Sequence, residues 1–358
     1  MTSVLLTAPP AHTVEDLAAV DDDLEAFFDR AIARAGAHDA AYRRLWSSAR
    51  DAVAGGKRVR PRLVLAVHRA FDGADRAAAV STAVAFELLH TAFLMHDDVI
   101  DHDDLRRGIP NITGRFAAEA EGAGASASQA REYGEASAIL AGDLLISAAH
   151  RLVARLDVTR DRRDALLDLV DECVFRAAAG EHADVRFTLG ETPTAREIVA
   201  MIEDKTASYS FSAPLRAGAI LAGAAPGTVD ALGEIGAHLG VAFQLRDDVL
   251  GVFGEPDVTG KTTIGDLREG KETLLIAYAR SDASWPPVAA RFGRPDLDEV
   301  GADLLRGAIT TSGARDRVEA LIAGRCRSAI ELIDGAGLPP GLADELTGVA
   351  AECGDRER

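Results

Sequence analysis

The stretch FELLHTAFLMHDDVIDHDDLRRG, Phe86 to Gly108, decides how the rest of the chain is read. It opens with apolar residues at helical spacing: Phe86, Leu89, Phe93 and the Leu94/Met95 pair share one broad face. It then places five aspartates in eight residues, Asp97, Asp98, Asp101, Asp103 and Asp104, and closes on Arg106-Arg107-Gly108. Residues four apart are neighbours on a helix, so Asp97 and Asp101 point the same way about one turn apart. Two such carboxylates repel unless a cation sits between them. Mg2+ suits the position, because it takes one or two carboxylates and completes its shell with phosphate oxygens and water. A solvated acidic face at a helix end is the competing reading. The apolar approach on one side and the arginine pair on the other point instead to a phosphorylated ligand. His90, seven residues before Asp97, falls on the same face; by itself it reads equally as a core histidine.

A second stretch repeats the plan. The helical run from Gly233 to Phe253 delivers Gln244 and then Asp247-Asp248, and a tail with Lys261, Asp266, Arg268 and Lys271 follows. The plan of an apolar helix, an aspartate pair and then basic groups thus occurs twice. Two such acidic ends facing each other across a cavity would hold Mg2+ ions bridged by a diphosphate.

Further basic groups lie elsewhere. Gly55-Gly56-Lys57-Arg58-Val59-Arg60-Pro61-Arg62 sets cations beside a helix start, where anions bind; a charged surface turn is the plainer reading. Lys205-Thr206 lies among apolar and small residues, where a lysine needs an anionic partner. Thr194 is placed to cap the helix of residues 196–211. Gly180, Glu181 and Asp184 form a polar patch with no evident purpose.

The composition, 47% hydrophobic, 27% charged and only 5% aromatic, with abundant alanine, favours closely packed helices over sheets. The expected organisation is a tail over 1–13, one all-helical domain over 14–350 with a mobile low-complexity loop near 117–134, and a tail over 351–358. A net charge of −18 argues against a generic nucleic-acid binder. Three scattered cysteines without a CxxC pair fit a reducing cytoplasm, and no signal peptide or membrane-spanning run is read.

Taken together, GGKRVRP, HTAFLMHDDVID, LRRG, LAGDLL, MIEDKTA and AFQLRDDVLGVFGEP with TGK and DLREGK resemble the trans-isoprenyl diphosphate synthases, the polyprenyl synthetase family, over about residues 50 to 275. The resemblance implies an all-α bundle of antiparallel helices around a deep central cavity, usually a homodimer. The implied reaction condenses isopentenyl diphosphate head-to-tail with an allylic diphosphate. It also implies Asp97, Asp101 and Asp247 as Mg2+ ligands, with Asp98 and Asp248 beside them and three ions per site. Lys57, Arg60, His90 and Arg107 match residues that hold isopentenyl diphosphate. Arg106, Lys205, Thr206, Gln244, Lys261 and Lys271 match residues around the allylic partner. Phe93 and Ala92, with Leu89 deeper, match the floor that stops the growing chain, and the implied product is geranylgeranyl diphosphate. Farnesyl diphosphate, a class I terpene cyclase and a regulatory subunit of a heteromeric synthase are the alternatives. Two departures from the family pattern stand out: Gly251 where relatives carry a third aspartate, and Gly265 where they carry the first of an aspartate pair.

Overall fold

A computed structural model describes residues 11–106, 108–254 and 263–355, and these are helical almost throughout. Among them, the strands are one two-residue pair, β1 (Leu105–Arg106) with β2 (Ile109–Pro110). The all-α expectation is met.

Contacts group the chain into two compact units, where the sequence reads one domain. The first unit holds the described residues of Pro9–Val170 together with Ala217–Ala224; the second holds Asp171–Arg216 and those from Ala225 onward. No proline- or glycine-rich linker marks the boundaries at Val170 and Arg216; the one at Ala224 alone falls in such a turn, Gly223-Ala224-Ala225-Pro226-Gly227.

In the first unit, α1 (Ala11–Ala35), α2 (Ala40–Val53), α3 (Val59–Ala70), α4 (Arg76–Ile100), α5 (Ile112–Gly122) and α6 (Ala127–Ala154) follow one another. Helix α4 packs against α6, α3 and α1. It is apolar around most of its circumference: Ala79, Ala83, Leu88, Leu89 and Ala92 are fully buried and Phe86 nearly so. Each large member contributes about 1.5–3 kcal/mol by leaving water. Asp75 caps its start by accepting from Ala78 N–H at 2.9 Å.

The second unit takes up α7 (Arg160–Thr188) from Asp171. It continues through α8 (Ala195–Ile202), a π-helical run Glu203–Ser212, α10 (Pro226–Phe253), α11 (Gly265–Glu269), α12 (Leu274–Ala279), α13 (Glu299–Thr311), α14 (Ala314–Gly335) and α15 (Pro340–Gly354); α9 (Ala213–Ala222) links the run to α10. Helix α10 packs against the π run, α14 and α15. Glycines allow the first contact: a methyl group on Gly236 would lie 2.5 Å from Ser212 Cα, and one on Gly240 would lie 2.6 Å from Ala207 Cα.

Several boundaries differ from expectation. Residues 117–134 are not a loop: α5 runs to Gly122 and α6 starts at Ala127, leaving a four-residue turn in which Gly124 has φ +91°. Alanine and glutamate make this low-complexity stretch a good helix former, and Ser126 and Gln129 close a capping box at the start of α6. The C-terminal helix extends to Gly354, into the expected tail, while 356–358 lie outside the described residues. Likewise α1 is already helical at Ala11, and residues 1–10 lie outside the described part. The helix expected over 196–211 changes to π geometry at Glu203.

Two helices, α4 and α6, are long and apolar enough to cross a membrane by length and composition, where the sequence reading found none. The apolar window of α4 is 78% buried inside the protein, so its apolarity is spent on packing; that of α6 is 39% buried.

Candidate functional site

The first aspartate motif sits at the C-terminal end of α4. A helix carries partial negative charge there, so carboxylates are unfavourable without cations. Asp97 is partly exposed and Asp101, the C-cap, is exposed, with its N–H bonded to Asp97 O at 2.8 Å. Asp98 turns inward and is buried. Its Oδ1 accepts from Arg106 Nε at 2.8 Å and Nη2 at 2.5 Å. Burial raises the Asp98 carboxyl above its ordinary range, and Arg106 opposes that shift. The β1–β2 hairpin that brings Arg106 back turns at Gly108, φ +75°. Asn111 fixes its return, donating to Asp103 O at 2.7 Å and accepting from Gly114 N–H at 2.9 Å.

Along α4 the residues His90, Phe93, Leu94 and Asp97 form a partly open stripe, while Leu89 and Ala92 are fully buried. Phe93 is thus the one expected chain-length residue on the open side; Ala92 is packing. Lys57 and Arg60, both partly exposed, flank the start of α3. Between them Arg58, in the left-handed region at φ 50°, clamps this segment to the neighbouring helices. It bonds Glu87 of α4 at 2.9 Å, Asp21 of α1 at 2.9 Å and Val53 O at 2.8 Å. Nothing in the sequence separates Arg58 from its basic neighbours. Arg107 and Lys261 lie outside the described residues.

The second motif lies in the penultimate turn of α10 and follows the same rule. Asp247 is partly exposed; Asp248 is buried and accepts from Gln244 Nε2 at 2.9 Å. Burial lifts the Asp248 carboxyl to about 6, against the pull of Lys271. Lys271 is held well above its ordinary range, chiefly by Asp266 and further by Asp248, Asp184 and Asp247.

Lys205 has the anionic partners its setting demands. Its Nζ lies 2.7 Å from Glu181 Oε2 and 2.7 Å from Asp184 Oδ2, which gives the Gly180–Asp184 patch of α7 its purpose. Gly180 lets the two segments approach, since a methyl group there would sit 2.3 Å from Lys205 N. Thr194 and Glu197 cap α8 reciprocally, and the π run that follows sets Lys205 and Thr206 on the segment that α10 crosses. Single-turn π-bulges collect at functional sites, and this run is longer than one turn.

The second unit therefore gathers Lys205, Thr206, Gln244, Asp247, Asp248 and Lys271; the first carries Lys57, Arg60, His90, Phe93, Asp97, Asp98, Asp101 and Arg106. Two expectations change in emphasis. Asp98 holds Arg106, and Arg106 is engaged by a carboxylate of its own unit. Among the described residues no group of three His, Cys, Asp or Glu comes together as a complete metal cage. Two carboxylates one turn apart fit Mg2+ all the same, because this ion keeps most of its shell for phosphate oxygens and water.

Comparison with known proteins bears on this arrangement. A family model described as Polyprenyl synthetase matches residues 43–286. A geranylfarnesyl diphosphate synthase of Aeropyrum pernix is 34% identical over 74% of this chain and 79% of its own length. A (2E,6E)-farnesyl diphosphate synthase of Mycobacterium tuberculosis is 32% identical over 84% and 80%. The crystal structure of a geranylgeranyl pyrophosphate synthase from Corynebacterium glutamicum, complexed with isoprenyl diphosphate and magnesium, superposes with a TM-score of 0.87 at 28% identity, covering 94% of this chain and 98% of that one.

Proposed function

The chain belongs to the polyprenyl synthetase family and is a prenyltransferase, and we propose that it condenses isopentenyl diphosphate with dimethylallyl, geranyl and farnesyl diphosphates to make geranylgeranyl diphosphate. One observation carries the reading. Both aspartate motifs lie near the C-terminal end of an apolar helix, both leave the first aspartate partly open, and both bury the second against a polar partner. Surface decoration gives no reason for that pattern to occur twice.

The residue types suit the reaction. When the allylic C–O bond breaks, negative charge grows on the departing diphosphate and positive charge on carbon. Lys205 and Lys271 answer the first charge. The Thr206 hydroxyl and the Gln244 amide oxygen answer the second. The isopentenyl double bond then attacks the allylic carbon, and the proton released from the product is taken by the departing diphosphate. Lys57, Arg60, His90 and Arg107 hold isopentenyl diphosphate; Arg106 and Lys261 add to the allylic site. Bound at Asp97, Asp101 and Asp247, Mg2+ supplies charge neutralisation and Lewis-acid polarisation of the leaving group, with three ions per site. No protein nucleophile is needed.

The working form we propose is a cytoplasmic homodimer. The outward apolar residues of α6, Tyr133, Ile139 and Leu140, support the dimer, and three free, buried cysteines are in keeping with the compartment. Labelled isopentenyl diphosphate, incubated with each allylic starter and followed by product sizing, tests the function. Turnover of a long allylic diphosphate alone would make the protein a cyclase, and no turnover with any starter would make it a regulatory subunit. A product ending at farnesyl would revise the length assignment only.

A further inference from the structure

In the first motif the two open carboxylates stand four residues apart on one helix, Asp97 and Asp101. In the second, the residue four after Asp247 is Gly251, which has no side chain. The space above Gly251 is nevertheless filled. A methyl group there would lie 2.4 Å from Asp266 Oδ2 and 3.2 Å from its Cγ. A carboxylate therefore stands over the vacant helix position, delivered from α11 rather than from α10. Its neighbours hold it in place: Leu267 beside it is buried, Arg268 Nη2 donates to Leu297 O at 2.8 Å, and Lys271 N–H donates to Asp266 O at 3.0 Å.

We propose that Asp266 supplies the carboxylate that α10 lacks at Gly251, so that the second Mg2+-binding face is the pair Asp247–Asp266, assembled from two elements. The proposal rests on the prenyltransferase reading and adds a positioning rule to it. In this chain the glycine leaves the space that the Asp266 carboxylate occupies, because a side chain at 251 would meet it. The contrast with the first motif also gains a reason. There both carboxylates come from one element, Asp97 in the last turn of α4 and Asp101 at its C-cap; here the pair forms only when α11 is docked on α10.

The plainer account makes Asp266 only the counter-ion of Lys271, and metal-dependent ligand binding separates the two. The probe is inorganic pyrophosphate, titrated calorimetrically into the full chain over a series of Mg2+ concentrations and in EDTA. Asp266→Asn, equal in volume, should raise the Mg2+ concentration needed for half-maximal pyrophosphate binding by about tenfold or more while leaving binding in EDTA near wild type. Gly251→Asp in an Asp266→Ala background, which clears the space that asparagine would still fill, returns a carboxylate from α10 and should recover most of the loss. An unchanged Mg2+ midpoint in Asp266→Asn would overturn the proposal. So would equal weakening with and without Mg2+, or a folded double variant that recovers nothing. Failure of the wild type itself to bind pyrophosphate in a Mg2+-dependent way would instead remove the function proposed above.

Discussion

Arg246 precedes Asp247 on α10 and is among the most deeply buried charges in the protein, with 2% of its side chain exposed. Its guanidinium grips both oxygens of Glu319 on α14, Nη1 to Oε1 and Nη2 to Oε2, each at 2.8 Å, while Nε donates to Cys353 O at 3.0 Å. Glu319 is 6% exposed, so solvent screens neither partner. Glu319→Ala would leave the guanidinium buried with one carbonyl for company. Breaking a buried pair from one side costs about 3–5 kcal/mol, a large share of a typical total of about 5–15. The assay is urea unfolding followed by circular dichroism, with the slopes compared before the midpoints are read. Replacing the whole pair, Arg246→Met with Glu319→Leu, removes the uncompensated charge and should cost markedly less than Glu319→Ala alone. If Glu319→Ala stays within about 1 kcal/mol of wild type, the buried pair does not hold α10 to α14. If the double variant is the worse of the two, the cost comes from packing and not from the stranded charge.

Four further outcomes follow from the site. Asp97→Ala should leave a folded protein whose turnover is lower by several orders of magnitude, measured with labelled isopentenyl diphosphate; near-normal turnover would remove Asp97 from the metal set. Lys57→Ala should raise the KM for isopentenyl diphosphate more than that for the allylic partner, with a lost charged contact worth about 1.5–3 kcal/mol; equal effects would undo the division of roles. Phe93→Ala should lengthen the product by at least one isoprene unit in chromatographic sizing, and an unchanged distribution would place the floor elsewhere. Asp248 gives a pH signature. Its folded pKa, about 6, lies above the ordinary value of 3.8, so its stabilising contribution is complete below the latter and is lost as pH rises through the former. In EDTA, Asp248→Asn should therefore gain on wild type as pH climbs from about 4 to 7, by up to about 3 kcal/mol; a pH-independent difference between the melting curves would refute this.

The fold class was legible because α4 and α10 declare themselves by period and by the aspartates they carry. The same holds for the polar residues placed by short-range rules, such as Asp97 with Asp101 or Thr194 with Glu197. What stayed hidden depends on contacts distant in sequence. Glu181 and Asp184 gain their role from Lys205, more than twenty residues away, and Glu319 lies 73 residues from Arg246. The 117–134 stretch failed for another reason: repetitive alanine and glycine look like disorder by composition, while alanine is the strongest helix former. Ala92 and Phe93 are adjacent in sequence, and burial alone separates them.

The π geometry of Glu203–Ser212 makes the number of residues in this segment matter as much as their identity. Each residue added to or removed from a helix turns everything beyond it by about 100°. Lys205 meets Glu181 and Asp184 on one side, while Ala207 and Ser212 lie under the glycines of α10 on another. Deleting a single residue between Lys205 and Ser212 would keep every interaction type available and yet aim the lysine and the contact with α10 in mismatched directions. The segment works as a phase setting between two partners. Its tolerance to substitution therefore says little about its tolerance to a change of length.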